Sequence, residues 1–151
     1  PAGWDALPEG ISPRVPIGEW NMSKICSDVE IMKTFEMFNN FKGAFLESVL
    51  IKYVDDDKID CQVSVKAYNK NEESKSERNV DIFVLNVSSY SLKKQPFSKR
   101  MPIYAGIHLF AGDGKIGIDV GKLSHQPKTL EEFVASKMFF LGDAIEIKIN
   151  D

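Results

Sequence analysis

The sequence predicts a mainly β protein, either an antiparallel β-sandwich or an open barrel of six to seven strands, with one N-terminal helix. Three observations support this fold class. From about residue 45 onward, apolar and β-branched side chains recur at every second position, which is typical of half-buried strands. Short turns rich in Asp, Asn and Gly separate these segments. The connections are too short for helical crossovers, so neighbouring strands are expected to run antiparallel.

The first 21 residues differ in composition from the rest, because they hold four of the seven prolines and both tryptophans. Proline favours extended backbone, and this segment shows neither helical nor strand periodicity. Two interpretations remain open: residues 1–21 are a leader ahead of a start at Met22, or they are an arm that docks on the domain. The apolar side chains of such an arm are Trp4, Leu7, Ile11, Val15, Ile17 and Trp20. Residues 22–151 are long enough for a single domain.

A short helix is predicted over residues 27–38. Ser27 is suited to the N-cap position, and Glu30 three residues later completes a capping box. The asparagines and glycine of residues 39–43 suit the left-handed backbone with which helices end. Three apolar residues recur at helical spacing and are expected to face the core: Ile31, Phe35 and Phe38.

The strands are predicted from period-two alternation over residues 45–54, 59–68, 80–92, 101–110, 115–121 and the C-terminal segment that ends the chain. Segment 80–92 is apolar at both odd-numbered and even-numbered positions, which indicates a central strand covered on both faces. Residues 129–136 predict one or two helical turns. In segment 59–68 the predicted core face is Ile59, Cys61, Val63, Val65 and Ala67, and the predicted solvent face is Asp60, Gln62, Ser64 and Lys66.

The glycine-rich stretch HLFAGDGKIGIDVG, residues 108–121, predicts a β-hairpin, because Asp-Gly is a strong signal for a two-residue turn. A phosphate-binding loop would need Ser or Thr after Gly114-Lys115 and a helix behind it. Here Ile116 begins an alternating strand instead. A calcium loop would need more oxygen ligands than Asp113 and Asp119 supply.

No residue pattern marks a catalytic or metal site. His108 and His125 are the only histidines, which is too few for a zinc site at metal-ligand spacing, and His108 is expected to be hydrogen-bonded among aromatic side chains. Ser124, His125 and Asp119 contain the residue types of a Ser/His/Asp arrangement, but no nucleophile-elbow motif surrounds the serine. We therefore expect no enzyme activity, no cofactor and no metal.

The composition bears on partners and compartment. A net charge of −3 and a pI near 5.5 argue against a nucleic-acid partner. No apolar run has membrane-spanning length and no secretory signal is visible, so we expect a cytoplasmic protein. Cys61 lies on the apolar face of its strand and predicts a buried free thiol, with a Cys26–Cys61 disulfide as the alternative.

A binding function is predicted, with a contact surface formed by the solvent face of strand 59–68, the polar loop 69–79 and the basic loop 93–100. The predicted partner-binding residues are Gln62, Ser64, Lys66, Tyr68, Lys93, Lys94, Lys99 and Arg100. The alternative is a small-ligand or carbohydrate binder that uses an aromatic cleft. An exposed sheet edge would also allow two copies to pair as a homodimer.

The run MKTFEMFNNFKGAFLESVLIKY, followed by a turn, an alternating strand, a polar loop and VDIFVLNVSSYSL, resembles small bacterial β-rich immunity proteins of polymorphic toxin systems. The resemblance covers roughly residues 30–92. In that family the turn after the helix usually carries His-Asp, whereas this chain has Lys42-Gly43. The resemblance implies a non-enzymatic protein that binds and neutralises a cognate bacterial toxin.

Overall fold

Two antiparallel β-sheets pack face to face in the computed structural model, which describes residues 28–73, 76–93 and 101–150. The helices are α1 (Asp28–Met37) and α2 (Leu130–Val134), and a 3-10 turn spans Asn39–Phe41. The strands are β1 (Ala44–Asp55), β2 (Lys58–Tyr68), β3 (Glu77–Leu85), β4 (Ser89–Leu92), β5 (Met101–Ile103), β6 (Ile107–Gly112), β7 (Lys115–Val120), β8 (Met138–Gly142) and β9 (Ala144–Asn150). The predicted β-sandwich with an N-terminal helix is confirmed.

The larger sheet has the strand order β5-β1-β2-β3-β9, and the smaller sheet has the order β4-β8-β7-β6. The core lies between them, where inward-facing side chains such as Val63, Ile82, Ile118 and Phe140 are fully buried. We call the face of each sheet that points away from this core its outer face. None of the helices in the described part of the chain has the length and apolar character needed to cross a membrane.

Three segments that alternation predicts as single strands each divide between the two sheets, so the described residues form nine strands rather than six or seven. Segment 80–92 becomes β3 and β4, and segment 101–110 becomes β5 and β6. The C-terminal segment becomes β8 and β9. The backbone turns at Asn86 (φ 52°) and Gly106 (φ 83°), both in the left-handed region. Apolar residues continue on both sides of each corner, so periodicity alone shows no boundary there.

Two of these corners are joined by polar contacts. The Asn86 side-chain amide donates to Asp143 Oδ2 at 2.5 Å, and Lys115 Nζ donates to Asp143 Oδ1 at 2.6 Å. The backbone N–H of Asn86 donates to Asp60 Oδ1 at 2.7 Å. The prediction that Asp60 lies on a solvent face is therefore wrong: its side chain is fully buried and accepts a hydrogen bond from the corner between β3 and β4.

α1 packs as its spacing predicts, with Ile31, Phe35 and Phe38 buried. The turn that follows uses left-handed backbone at Asn39 and Asn40 and brings Phe41 under the helix. The Phe41 ring lies edge-on to Phe35, with 5.0 Å between centroids, and stacks on Phe38 at 5.5 Å. The predicted N-cap, Ser27, lies outside the described residues, as do residues 1–21 and Cys26. Cys61 is a buried free thiol, as expected.

α2 covers the outer face of the smaller sheet and confirms the helical turns predicted over 129–136. Thr129 caps it, since its hydroxyl accepts the backbone N–H of Glu132 at 3.1 Å. Phe133, the buried residue of α2, stacks on Phe110 with centroids 4.9 Å apart and lies edge-on to Phe139 at 5.2 Å. This aromatic cluster anchors the chain segment that follows β7.

β6 and β7 form the predicted hairpin. Asp113 and Gly114 occupy its turn with φ of 55° and 76°, the backbone that a two-residue Asp-Gly turn requires. This turn pairs Gly112 with Lys115 and, four residues further along, His108 with Asp119. The glycine-rich stretch thus places a histidine and an aspartate side by side.

Candidate functional site

A groove of about 850 Å³ runs along β6, which is an edge strand of the smaller sheet. α1 and the turn after it form one wall, and residues 124–126, after β7, form another part of the lining. Its apolar lining includes Ile31, Met32, Phe35, Ile107, Leu109 and Phe110. Its polar lining includes Asn40, Lys42, His108, Ser124, His125 and Gln126. A volume of this size is typical of ligand-binding clefts.

Helix α1 contributes to the groove because its apolar residues extend around more than the buried face. Phe35 is buried against the core, whereas Met32 is 65% exposed and lies at the groove. A flexible, polarizable methionine at such a position adapts to different apolar partners. Helix α1 therefore lines the groove with one buried aromatic side chain, Phe35, and one adaptable side chain, Met32.

The most constrained polar feature in the groove is the pair formed by His108 and Asp119. Asp119 is fully buried, and its Oδ2 lies 2.9 Å from His108 Nδ1. The carboxylate also accepts the backbone N–H groups of Lys122 at 3.1 Å and Leu123 at 3.2 Å, and the Ser136 hydroxyl at 2.5 Å. The two backbone N–H groups and the Ser136 hydroxyl all donate to it, so the carboxylate acts as an acceptor toward each of these three partners.

This network assigns the tautomer of His108. Since Asp119 acts as an acceptor toward its other partners, we assign Nδ1 of His108 as the protonated nitrogen that donates to Oδ2. Nε2 is then the ring nitrogen left for a group in the groove. The same arrangement of a buried carboxylate behind a histidine orients imidazoles in catalytic and metal sites. Here it holds the ring of a residue that lines an open groove.

Asp119 does not take part in the Ser124, His125 and Asp119 arrangement, which no sequence motif favoured. Asp119 binds His108 rather than His125, and the serine that contacts Asp119 is Ser136. Ser124 and His125 instead line the groove. Among the described residues, no group of three or more His, Cys, Asp or Glu side chains is arranged to hold a metal ion.

The pairing of His108 with Asp119 was missed in the sequence, although a signal for it was present. A two-residue turn at Asp113-Gly114 sets the register of the whole hairpin, and counting outward from it places residue 108 opposite residue 119. Ser136 is different, because it reaches Asp119 only through the packing of α2 on the sheet. No local sequence pattern predicts the contact between Ser136 and Asp119.

The backbone of β6 also faces the groove. In an antiparallel hairpin, alternate residues direct their N–H and C=O groups away from the paired strand. The Leu109 carbonyl accepts a hydrogen bond from the Gln126 side-chain amide, which shows that Leu109 belongs to this outward row. Ile107 and Ala111 alternate with Leu109 in the same way, so their backbone groups point to the same side of β6, away from β7.

The charge of the groove is one-sided. Its lining in the described residues includes the ammonium group of Lys42 but no carboxylate, because Asp119 lies beneath His108. The groove therefore suits a ligand that combines apolar side chains or rings with a negatively charged group for Lys42 and a hydrogen-bond donor for Nε2 of His108.

The predicted partner-binding residues lie elsewhere. Gln62, Ser64 and Lys66 are half-buried on the outer face of β2, and Tyr68 at its end is exposed. Ser64 Oγ donates to Asp81 Oδ1 at 2.7 Å. Exposed Lys93 follows β4 in the other sheet. The remaining three, Lys94, Lys99 and Arg100, lie outside the described residues. The structure thus brings the first four together and separates Lys93 from them, and the binding role of this set stays a prediction.

The geometry of the groove is the basis for a functional assignment. Comparison of the chain with protein-family models, with curated proteins and with solved structures finds no match.

Proposed function

We propose that this chain is a non-enzymatic, protein-binding module that captures an extended segment of its partner along β6. The observation that carries the proposal is the outward row of β6 backbone groups beside a groove of about 850 Å³. A peptide that adds to a sheet edge gains affinity from main-chain hydrogen bonds and specificity from the pockets that take its alternate side chains. Both components are present here.

An extended peptide fits this site better than a helix does. A helix satisfies its own backbone groups, so it would leave the N–H and C=O groups of Ile107 and Ala111 in water or buried without partners. An added strand would bond to them directly. Its side chains on one face would then lie against Phe35 and Met32 of α1, which form the apolar wall.

His108 and Lys42 supply the polar part of recognition. Nε2 of His108 is held in place by Asp119 and accepts a hydrogen bond from a hydroxyl or amide of the bound segment. Lys42 favours an acidic side chain or a carboxylate. A partner segment that matches this groove alternates apolar residues with polar or acidic ones.

The partner class follows from the resemblance of residues 30–92 to immunity proteins of polymorphic toxin systems. We propose that the captured segment belongs to a cognate bacterial toxin, and that binding neutralises the toxin. An immunity protein needs a binding surface and no chemistry of its own, which agrees with a groove made of apolar walls, one oriented histidine and a strand edge.

The experiment is a selection of the full chain against a phage-displayed random peptide library, followed by binding measurements on the enriched peptides. Ala111→Pro removes an outward N–H at an exposed position, and proline is tolerated at strand edges that face solvent. We expect this variant to bind the peptides about tenfold more weakly, the effect of losing one well-made hydrogen bond with its steric penalty. Ala111→Ser retains the N–H and is the matched control.

Equal binding by wild type and Ala111→Pro, with unchanged circular dichroism, would refute β-strand addition. If the chain dimerises and Ala111→Pro dissociates the dimer, the bound strand comes from a second copy. The toxin assignment is tested separately, by pull-down with the product of a toxin gene encoded beside this one. If this chain and the toxin fail to associate, the toxin assignment is contradicted and the conclusion about peptide binding is unaffected.

A second candidate function is favoured by the oriented imidazole and the groove volume, which also suit a small ligand such as a sugar or an aromatic carboxylic acid. Such a ligand contacts side chains rather than the strand edge. Its binding would fall in His108→Ala and stay unchanged in Ala111→Pro, measured as thermal shifts with a panel of sugars and carboxylic acids.

A further inference from the structure

One side chain, that of Gln126, occupies the edge of β6 at its middle. Leu109 is the central one of the three β6 residues whose backbone groups point away from β7, between Ile107 and Ala111. Its carbonyl is an acceptor that a bound strand would use, and it already accepts a hydrogen bond from the Gln126 side-chain amide. A carboxamide N–H has the same donor chemistry as a backbone N–H. Gln126 therefore takes the place of one peptide group of an added strand.

The segment between β7 and α2 holds Gln126 at this edge from both sides. Before it, the backbone N–H of Leu123 donates to Asp119 Oδ2 at 3.2 Å. After it, Pro127 is buried, and α2 is fixed to the same sheet by the aromatic cluster around Phe133. The backbone on either side of Gln126 is thus anchored to the sheet whose edge its side chain contacts.

We propose that Gln126 is a displaceable cap of the β6 edge, and that a bound segment replaces it with a backbone N–H opposite Leu109. This inference rests on the proposed addition of a strand along β6. The exchange leaves no buried group unpaired, because Gln126 is exposed and water takes the place of its lost acceptor. A segment with proline at that position has no N–H to offer and cannot replace the bond.

Such a cap serves selectivity. An open strand edge is a template for pairing with any extended chain, and natural proteins cover or interrupt their edges for this reason. With Gln126 in place, a segment gains the bond to Leu109 only after it has broken the existing one. Chance partners that match the groove poorly are disfavoured by this competition, whereas a segment that also fills the apolar wall tolerates it.

Calorimetric titration of the peptides selected on the wild-type chain tests the inference. Gln126→Ala removes the competing donor, and Gln126→Met removes it while keeping the length of the side chain. We expect both variants to bind about threefold to tenfold more tightly than wild type, the effect of removing one competing neutral hydrogen bond. Val134→Ala, a neutral change at an exposed position of α2 that does not line the groove, is the control and should leave the affinity unchanged.

Peptides that are N-methylated at one position at a time then identify the N–H that faces Leu109. At that position, methylation should weaken binding and also erase the advantage of Gln126→Ala over wild type, because the peptide no longer competes for the carbonyl. At every other position the advantage of the variant should remain. An advantage that survives methylation at all positions would show that Gln126 does not compete with a backbone N–H, and the inference would be wrong.

The outcomes separate this inference from the proposed function. If Ala111→Pro weakens the peptides but Gln126→Ala binds them no more tightly than wild type, strand addition stands and the cap is refuted. If neither variant changes binding, strand addition itself fails and the displacement of Gln126 fails with it. Self-association of Gln126→Ala that Ala111→Pro reverses would support the cap, with the added strand coming from a second copy.

A measurement without peptide tests the capped state directly. In a chain labelled with ¹⁵N-glutamine, the side-chain signal of Gln126 is the one that disappears in Gln126→Ala. We expect its amide protons to exchange with solvent more slowly than those of a solvated carboxamide, and to speed up when a selected peptide is added. Exchange at the solvated rate in the free protein would overturn the inference whatever the peptides show.

Discussion

Replacement of Asp119 by alanine is the most informative single perturbation of the groove. The change removes the acceptor of four hydrogen bonds, from His108 Nδ1, the Ser136 hydroxyl and the backbone N–H groups of Lys122 and Leu123. Each donor left without a partner in a buried site costs about 1–3 kcal/mol. Ser136 keeps Met138 O as an alternative acceptor at 3.0 Å, so the hydroxyl contributes least to this cost.

The two backbone donors and the imidazole therefore account for most of the expected loss in the free energy of unfolding. Because their surroundings are only part-buried, water can replace some of the lost bonds, and we expect Asp119→Ala to lower the free energy of unfolding by about 3–5 kcal/mol. Asp119→Asn keeps the shape and one acceptor oxygen, so its cost is expected to be smaller, about 2 kcal/mol. His108→Ala loses a single bond at a partly exposed ring, about 1 kcal/mol.

The assay is urea unfolding at 25 °C followed by circular dichroism, with stability from linear extrapolation. Asp57→Ala, at an exposed carboxylate in the turn between β1 and β2, is the control and should change stability by less than about 0.5 kcal/mol. A loss below about 1 kcal/mol in Asp119→Ala would refute the reasoning, since buried donors could not then depend on this carboxylate. A double-mutant cycle with His108 measures the coupling of the pair.

Gly117→Ala should destabilise the fold by about 2–4 kcal/mol in the same assay, because the added methyl group would meet the Phe140 carbonyl oxygen and lie 2.9 Å from Phe133 Cζ. Gly114→Ala, in open space at a left-handed turn, should cost only about 1 kcal/mol, and equal losses at the two positions would contradict the packing argument. Burial, helped by the neighbouring Asp60 carboxylate, raises the pKa of the Cys61 thiol from 9.0 to about 12. The unfolded thiol therefore ionises first, and the part of the stability that comes from this thiol is complete below about pH 9 and declines as the pH rises toward 12. In a chain whose other cysteine is replaced by serine, iodoacetamide at pH 9 should label Cys61 only in denaturant, and rapid labelling of the folded protein would contradict this protection.

The features that depend on neighbouring residues were predictable from the sequence. Helical spacing placed Ile31, Phe35 and Phe38 in the core, and Asp113-Gly114 predicted a hairpin that the structure contains. Phe83 and Leu85 lie on the opposite face of the strand from Ile82, and all three are apolar. This predicted a strand that is covered on both faces. Each of these inferences needs only the period of the backbone and the conformational preference of one or two residues.

The corners between the sheets were not predictable in the same way. Asn86 and Asp143 turn the chain from one sheet to the other, and they do so by hydrogen-bonding to each other across 57 positions of sequence. Asp60 was predicted to face solvent because alternation shows which side of a strand a residue faces. Alternation does not show what covers that side. Its carboxylate accepts the backbone N–H of Asn86, 26 residues away in the sequence.

The amino-acid sequence by itself therefore determined the sandwich class, the helix, the hairpin and, through the position of its turn, the strand register that sets His108 opposite Asp119, although that pairing was not predicted. Only the tertiary structure decided where strands pass between sheets, that Ser136 completes the polar network, and that α1 stands across a groove from the edge of β6. The physical reason is that backbone periodicity and turn conformation are set by adjacent residues. A groove, in contrast, is the space left between elements that are distant in sequence, and it exists only once they have packed.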